Sequence, residues 1–344
     1  MQQPSLRYFI VRTFIAVIPV IVFVAVYAAI DPFKVIYRYD DPISSTDSIQ
    51  LGRNAGFISI KALERNMRAG REYDSFILGS SMSGSFPVAE WKKHLPEGAR
   101  ATNIDAAGET VQGIADKVRY LRDNGIKAKH ILIIMEVASF ERIPKDAQIL
   151  FMRPPNITSD VSWVQFHYQY FNAFKNPTFV KYLLYQYVLF PQEDAGGMIM
   201  GRFGTTDLEA HVDSTNENLI SHIDSIRAID PKKYYTPARL RHNEYTDLPT
   251  AIGTSIRPET ERSLVELAHL LKEGEIDYHI IIPPRLNRGY LSSYDLGLLI
   301  EMFGAERVHD MTRHPLSTEP CAYYDPASHL TTATSITIMH EALP

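Results

Sequence analysis

Residues 130–135, His-Ile-Leu-Ile-Ile-Met, constrain this chain more than any other stretch. Five consecutive apolar side chains leave no polar face. A strand alternates its side chains between two faces, so such a run must be covered on both. That is the habit of a central strand in a parallel sheet packed between two layers of helices. The surrounding pattern agrees. Ser75-Phe76-Ile77-Leu78 is a short apolar strand that runs into Gly79-Ser80-Ser81, and Ala101–Ile104 is a second. Pro87 can open a helix through Leu95. Val111, Ile114, Ala115, Val118 and Leu121 recur at helical spacing, and Asn124-Gly125 supplies the stop. Past Pro258 the alternation resumes. A helix carries Leu264, Val265, Ala268 and Leu271, a strand runs over Tyr278–Ile282, and a helix over Leu291–Phe303. A short strand at Arg307–His309 and a closing helix over Thr331–Leu343 complete it. The expected class is therefore α/β, a three-layer parallel sheet with helices on both faces.

The pattern breaks between about 140 and 255, which reads as an insert. Eleven aromatics lie between Trp163 and Phe190, among them Tyr168, Tyr170, Phe171, Tyr182, Tyr185 and Tyr187. One reading is a helical insert that packs its rings against the core. The other is a carbohydrate- or membrane-facing surface, where flat rings with a polar tip are useful.

Thr13–Ile30 is 18 residues without a charge. As a helix it would be about 27 Å long, close to the roughly 30 Å hydrocarbon core of a bilayer. Arg7 and Arg12 precede it and Asp31 follows. The positive-inside bias then places residues 1–12 in the cytoplasm, 13–30 in the membrane and the rest outside. This predicts a single-pass protein of the inner (cytoplasmic) membrane with a periplasmic domain at 71–344, joined by a tether at 31–70 that holds some helix, Phe57–Met67 having a helical mixture. A cleaved signal peptide, with Val26-Tyr27-Ala28 at the cleavage site, and a buried soluble helix are the alternatives. Net charge is −5 with no basic stripe, so no nucleic-acid partner is expected. The one cysteine, Cys321, cannot form an internal disulfide and reads as a buried small residue. No Cys/His spacing suggests a metal, and no cofactor is expected. Gly79 to Ser85 lacks the lysine of a phosphate-binding loop.

In open α/β sheets, sites form beyond the carboxyl ends of the strands. The polar residues there are Gly79-Ser80-Ser81-Met82-Ser83 after the first strand and Asn103 with Gly108 after the second. Glu136 and Ser139 follow the third, and Asp325 and His329 precede the closing helix. Glu136 could line the site or pair with Arg285. Asp310 and His314 form a rival pair with the same spacing as Asp325 and His329.

This set resembles the SGNH (GDSL-like) hydrolase superfamily. The segment Phe-Ile-Leu-Gly-Ser-Ser-Met-Ser matches the first block with Ser80 in place of Asp. That Gly-Ser-Ser form looks like the membrane-anchored branch associated with envelope and exopolysaccharide acylation. Asn103 to Gly108 is similar to the second block, and Tyr324-Asp325-Pro-Ala-Ser-His329 to the last. The likeness spans roughly residues 73–140 and 258–344. It implies a serine hydrolase site in which Ser81 is the nucleophile, His329 the general base and Asp325 the residue that orients the imidazole. The backbone N–H groups of Ser81 and Gly108 would meet the oxyanion, with Asn103 or Ser139 as a further donor. Besides Ser80, two further departures accompany it: the third-block Asn is replaced at Ser139, and the last Asp and His are four apart rather than three. The implied activity is transfer or hydrolysis of an ester-linked acyl group, acetyl above all, on an envelope or secreted polysaccharide. A transferase of this kind calls for a multispanning membrane partner that delivers acyl groups. A catalytically inactive scaffold binding polysaccharide or a biosynthesis complex is the alternative.

Overall fold

The computed structural model describes residues 6–37, 54–141, 149, 151–177, 210–212, 219–221, 250–286, 289–323 and 328–344. Among these, five strands form one sheet: β1 (Ser75–Gly79), β2 (Ala101–Asn103), β3 (His130–Ile134), β4 (Asp277–Ile282) and β5 (Val308–Asp310). Every pairing is parallel, in the order β2-β1-β3-β4-β5. This is a doubly wound order, and it reverses direction between β1 and β3. The crevice beyond the carboxyl ends of β1 and β3 is where such a sheet binds its ligand.

Alternate residues of the strands enter two separate cores. Phe76, Leu78, Ile131, Ile133, Ile280 and Ile282 face one side. There they meet helices α2 (Ala55–Arg68), α4 (Val111–Asp123), α5 (Val137–Glu141), α7 (Pro258–Glu273) and α8 (Ser293–Phe303), together with the loop residue Ile157. Ile77, Leu132, Ile134 and Ile281 face the other side, against α3 (Val88–Trp91) and the closing helix α9 (Thr332–Ala342). The doubly apolar run of β3 is thus covered on both faces, and the α/β architecture with flanking helices follows from it.

The helical mixture at Phe57–Met67 is a helix that packs on the sheet. Within the stretch read as a tether, α2 is capped by Asn54, whose side chain accepts the Phe57 N–H, and it buries Ile60 and Leu63 in the first core. The apolar positions of α2 are spaced among Lys61, Glu64 and Arg65, which thins the stripe. Residues 38–53 lie outside the described residues. Cys321 is exposed rather than buried. It sits in the one-turn helix Pro320–Ala322, where Ala322 is the residue that faces the core.

α1 (Leu6–Ile30) is an apolar helix long enough to cross a membrane over Ile10–Ile30. α6 (Trp163–Phe174) belongs to the aromatic insert, and its buried rings do not pack on the sheet. Phe166, Tyr170 and Phe174 join Tyr27, Phe33 and Phe57 in a third cluster at the end of α1. Tyr182, Tyr185 and Tyr187 lie outside the described residues.

Two consequences are measurable. A Cβ on Gly79 would sit 2.5 Å from the Ile134 carbonyl oxygen and 3.0 Å from the Ser83 side chain. Both neighbours are backbone or tightly held, so Gly79→Ala is expected to destabilise the protein by about 1–3 kcal/mol, read as a lowered denaturation midpoint. On the far edge of the sheet, His279 and His309 stack, with Nδ1 of the first 2.9 Å from Nε2 of the second. Burial lowers both imidazole pKa values. For His279 the Asp277 carboxylate partly opposes this, and for His309 the neighbouring His279 adds to it. The folded pair therefore binds fewer protons than the unfolded chain, in which His titrates near 6.5. Stability from this pair is complete above about pH 6.5 and falls as pH drops through 6.5 toward the lower folded values. Thermal melts between pH 7.5 and 5 are expected to show that fall, and His309→Gln to flatten it.

Candidate active site

β1 ends at Gly79, and the chain turns at once into a single 3-10 turn, Ser81–Ser85. Side chains build this turn. Ser80 is fully buried and its oxygen accepts the Met82 N–H, capping the turn. The Ser83 hydroxyl donates to the Ser80 carbonyl at 2.8 Å, and the Ser85 hydroxyl to the Met82 carbonyl at 2.9 Å. Ser85 also meets Ser335 of α9 at 2.6 Å, which ties the turn to the closing helix. The residue at the Asp-to-Ser departure therefore shapes the bend that presents its neighbour, Ser81, half-exposed at the rim.

The tail supplies the imidazole. Tyr323 and Leu330 form an antiparallel bridge, and the Thr331 N–H donates to the Ala322 carbonyl at 2.9 Å. These contacts lie immediately before α9, whose N-cap is Thr331. Ser328 sits in the left-handed region at φ +74°, unusual for a residue with a side chain. Its hydroxyl accepts the buried Leu286 N–H at 3.1 Å, which holds the turn next to His329. Strained backbone of this kind persists only where its surroundings over-determine it.

The result is one contact. His329 Nε2 lies 2.9 Å from Ser81 Oγ, across 248 residues of sequence. That is hydrogen-bond geometry between a hydroxyl and a base, the arrangement that activates a serine. Asp325, with Tyr324 and Pro326, lies outside the described residues.

The second loop runs beside the first. Ile104 N–H donates to the Ile77 carbonyl and Ala106 N–H to the Gly79 carbonyl, extending the β1–β2 ladder past the strand ends. Gly108 follows in a turn at φ +59°, a conformation that favours glycine. Asn103 is buried, and its amide donates to the Ser83 carbonyl at 3.0 Å. It thus braces the serine turn from below. Ser139, at the position of the missing Asn, is buried within α5. Glu136 is half-buried after β3.

The rival pair is engaged elsewhere. Asp310 accepts the N–H and hydroxyl of Thr312 at 3.0 and 2.6 Å. His314 caps a 3-10 turn through the Leu316 N–H and lies 2.9 Å from Glu341.

Of the bracing residues, sequence reasoning named Ser80, Ser83 and Asn103 as polar residues after the strands. The largest omission is Lys117, which is 0% exposed although it lies on the amphipathic helix α4. Its ammonium pairs with Glu109 at 2.7 Å and donates to the Ile104 carbonyl at 2.7 Å. Asp105 lies in the same field: burial pushes its carboxyl up, Lys117 pulls it down and Glu109 raises it. Gly113 makes room for this pair, because a Cβ there would overlap the Glu109 carboxylate. The one sequence signal was Gly113 in the first turn of a helix, where glycine is costly without a packing reason.

No group of three or more potential metal ligands occurs among the described residues. Comparison with known proteins finds no matching family model and no matching curated sequence.

Proposed function

We propose that the protein is a membrane-anchored serine enzyme of SGNH type that transfers or hydrolyses ester-linked acyl groups, acetyl above all, on an envelope or secreted polysaccharide. The observation that carries this reading is the 2.9 Å contact between Ser81 Oγ and His329 Nε2 at the switch point of a parallel sheet. Ser81 Oγ attacks the carbonyl carbon of the acyl ester and its proton passes to His329 Nε2. The tetrahedral intermediate collapses, the bond to the leaving oxygen breaks, and His329 returns the proton to that oxygen. Water or a sugar hydroxyl then attacks the acyl-serine, gives its proton to His329, and Ser81 leaves reprotonated. Asp325 orients the imidazole, and the N–H groups of Ser81 and Gly108 receive the oxyanion.

With the apolar helix in the inner membrane and the sheet domain in the periplasm, the acceptor polymer is reached outside the cytoplasm. In the transfer version a multispanning membrane partner brings the acyl group across. An inactive polysaccharide-binding scaffold is the second reading. Two observations favour it: the Asn103 amide is committed to the Ser83 carbonyl, and Ser139 is buried.

The deciding experiment is reaction of the purified protein with a fluorophosphonate, followed by peptide mapping. The enzyme reading expects a stoichiometric adduct on the peptide containing Ser81. An unlabelled protein that still binds polymer supports the scaffold and overturns the enzyme.

A further inference from the structure

The third aromatic cluster joins the sheet domain to the apolar helix, and its position along that helix is informative. Most of α1 is exposed on every side, as Phe14, Val20 and Val22 illustrate. Burial sets in only at Phe23 and Tyr27, one turn apart on one face. Both rings are covered by α6. Phe23 lies 5.9 Å from Phe171 and 4.8 Å from Phe174, ring centre to ring centre, and Tyr27 lies 5.5 and 5.1 Å from the same two. Phe23 is seven residues before Ile30, roughly 10 Å down the helix axis from the end of the apolar run. A helix that touches Phe23 therefore reaches below the level where that run ends.

The composition of α6 suits such a place. Its sequence, Trp-Val-Gln-Phe-His-Tyr-Gln-Tyr-Phe-Asn-Ala-Phe, has no Asp, Glu, Lys or Arg. Phe166, Tyr170 and Phe174 are buried, yet the opposite face carries Val164 at 82% exposure and Tyr168 at 58%, while Trp163 starts the helix 44% exposed with its ring edge-on to Phe166 at 5.8 Å. Lys175 follows at the C-terminus, its ammonium 5.5 Å from the Phe171 ring. Aromatic rings with polar tips and a lysine at the margin are the residues that settle in the headgroup layer of a bilayer. A ring-bearing, uncharged face turned to bulk water would be an exposed apolar patch without a partner.

We infer that α6 is an interfacial helix: it lies in the outer headgroup layer beside the end of α1, with Val164 and Tyr168 against lipid and Trp163 at its starting edge. The sheet domain is held to it firmly. Phe57 of α2 packs on Phe166 at 5.4 Å, the Asn54 amide donates to the carbonyls of Ile149 and Met152, and the Tyr170 hydroxyl donates to Ile149. At the junction, the buried Asp31 carboxylate accepts the N–H groups of Val35, Ile36 and Tyr37. Two membrane contacts, one spanning and one interfacial, then fix the tilt of the domain, so its serine rim keeps one orientation to the bilayer instead of swinging on a leash.

This inference rests on α1 crossing the bilayer, and the test separates the two. The full-length protein carrying Cys321→Ser receives single cysteines at Val17, Val164, Tyr168 or Val265, each exposed, and each is labelled with an environment-sensitive fluorophore. The protein is reconstituted in phosphatidylethanolamine–phosphatidylglycerol vesicles. Quenching by headgroup-proximal spin-labelled lipid is compared with quenching by aqueous iodide. The labels at 164 and 168 are expected to be quenched several-fold more by the lipid probe than the label at 265, and less by iodide. If they respond like 265 while the label at 17 is lipid-quenched, the anchor stands and the interfacial helix is refuted. If the label at 17 is itself open to iodide, the anchor reading fails and this inference falls with it.

Discussion

Replacing Ser81 by alanine is expected to lower turnover of an activated acetyl ester by at least about 10³-fold and to leave the thermal midpoint unchanged. The two halves of that expectation have separate causes. In the proposed mechanism the hydroxyl is the atom that forms the acyl bond, so no other group can stand in for it. Yet the hydroxyl is not what holds the turn. Ser80, Ser83, Ser85 and Asn103 carry the hydrogen bonds that shape residues 79–85, and Ser81 spends its side chain on His329. His329→Ala should cost about as much as Ser81→Ala, and the double variant little more than either, because a nucleophile and its base act as one unit. Steady-state hydrolysis of 4-nitrophenyl acetate by the three variants, with the uncatalysed rate subtracted, decides it. Retention of most of the activity in Ser81→Ala would remove the serine mechanism. Additive losses would show that the imidazole serves something other than the hydroxyl.

Much of the sheet was readable because burial on two faces writes itself into short runs. Phe76-Ile77-Leu78, Ile131 to Met135 and Ile280 to Ile282 have no polar alternation, and each became a strand within a residue or two of its expected ends. Asn124-Gly125 stopped α4 where the turn chemistry required, with Gly125 at φ +70°. Ser81 and His329 were readable by a different route, from residue types placed after strands and their likeness to a known set of motifs. What stayed hidden has a common cause: it depends on partners far away in sequence. The rings of α6 could serve a core, a sugar or a membrane until Phe23 and Tyr27, nearly 150 residues upstream, are seen to cover them. That the Asn103 amide also braces the serine turn shows only once it is seen to meet Ser83. Cys321 has the chemistry of a buried residue, and only the path of the 3-10 turn turns it outward. A pattern of apolar residues also has no symbol for a paired charge, so nothing in the spacing of α4 marks Lys117.

Lys117 is where the second large effect is expected. Lys117→Met removes the ammonium and leaves the Glu109 carboxylate buried, 5% exposed, with its counter-charge gone. Breaking a buried pair from one side costs about 3–5 kcal/mol, far more than the pair contributes relative to an apolar substitute. For a domain of this size that corresponds to a fall of roughly 10 °C in thermal midpoint. The Ile104 carbonyl also loses its donor, and with it the segment leading to Gly108 loses its tie to α4. Turnover should therefore fall even in molecules that remain folded at assay temperature. The double variant Lys117→Met with Glu109→Gln separates charge from packing. It removes the stranded carboxylate, so it should regain more than half of the lost stability. It cannot restore the bond to Ile104, so turnover should recover less than stability does. Melting curves and acetyl-ester kinetics on the same preparations read both quantities. Parallel recovery of the two would mean that the ion pair serves the fold alone, whereas a stable but slow double variant would place Lys117 among the residues that position the second loop over the serine.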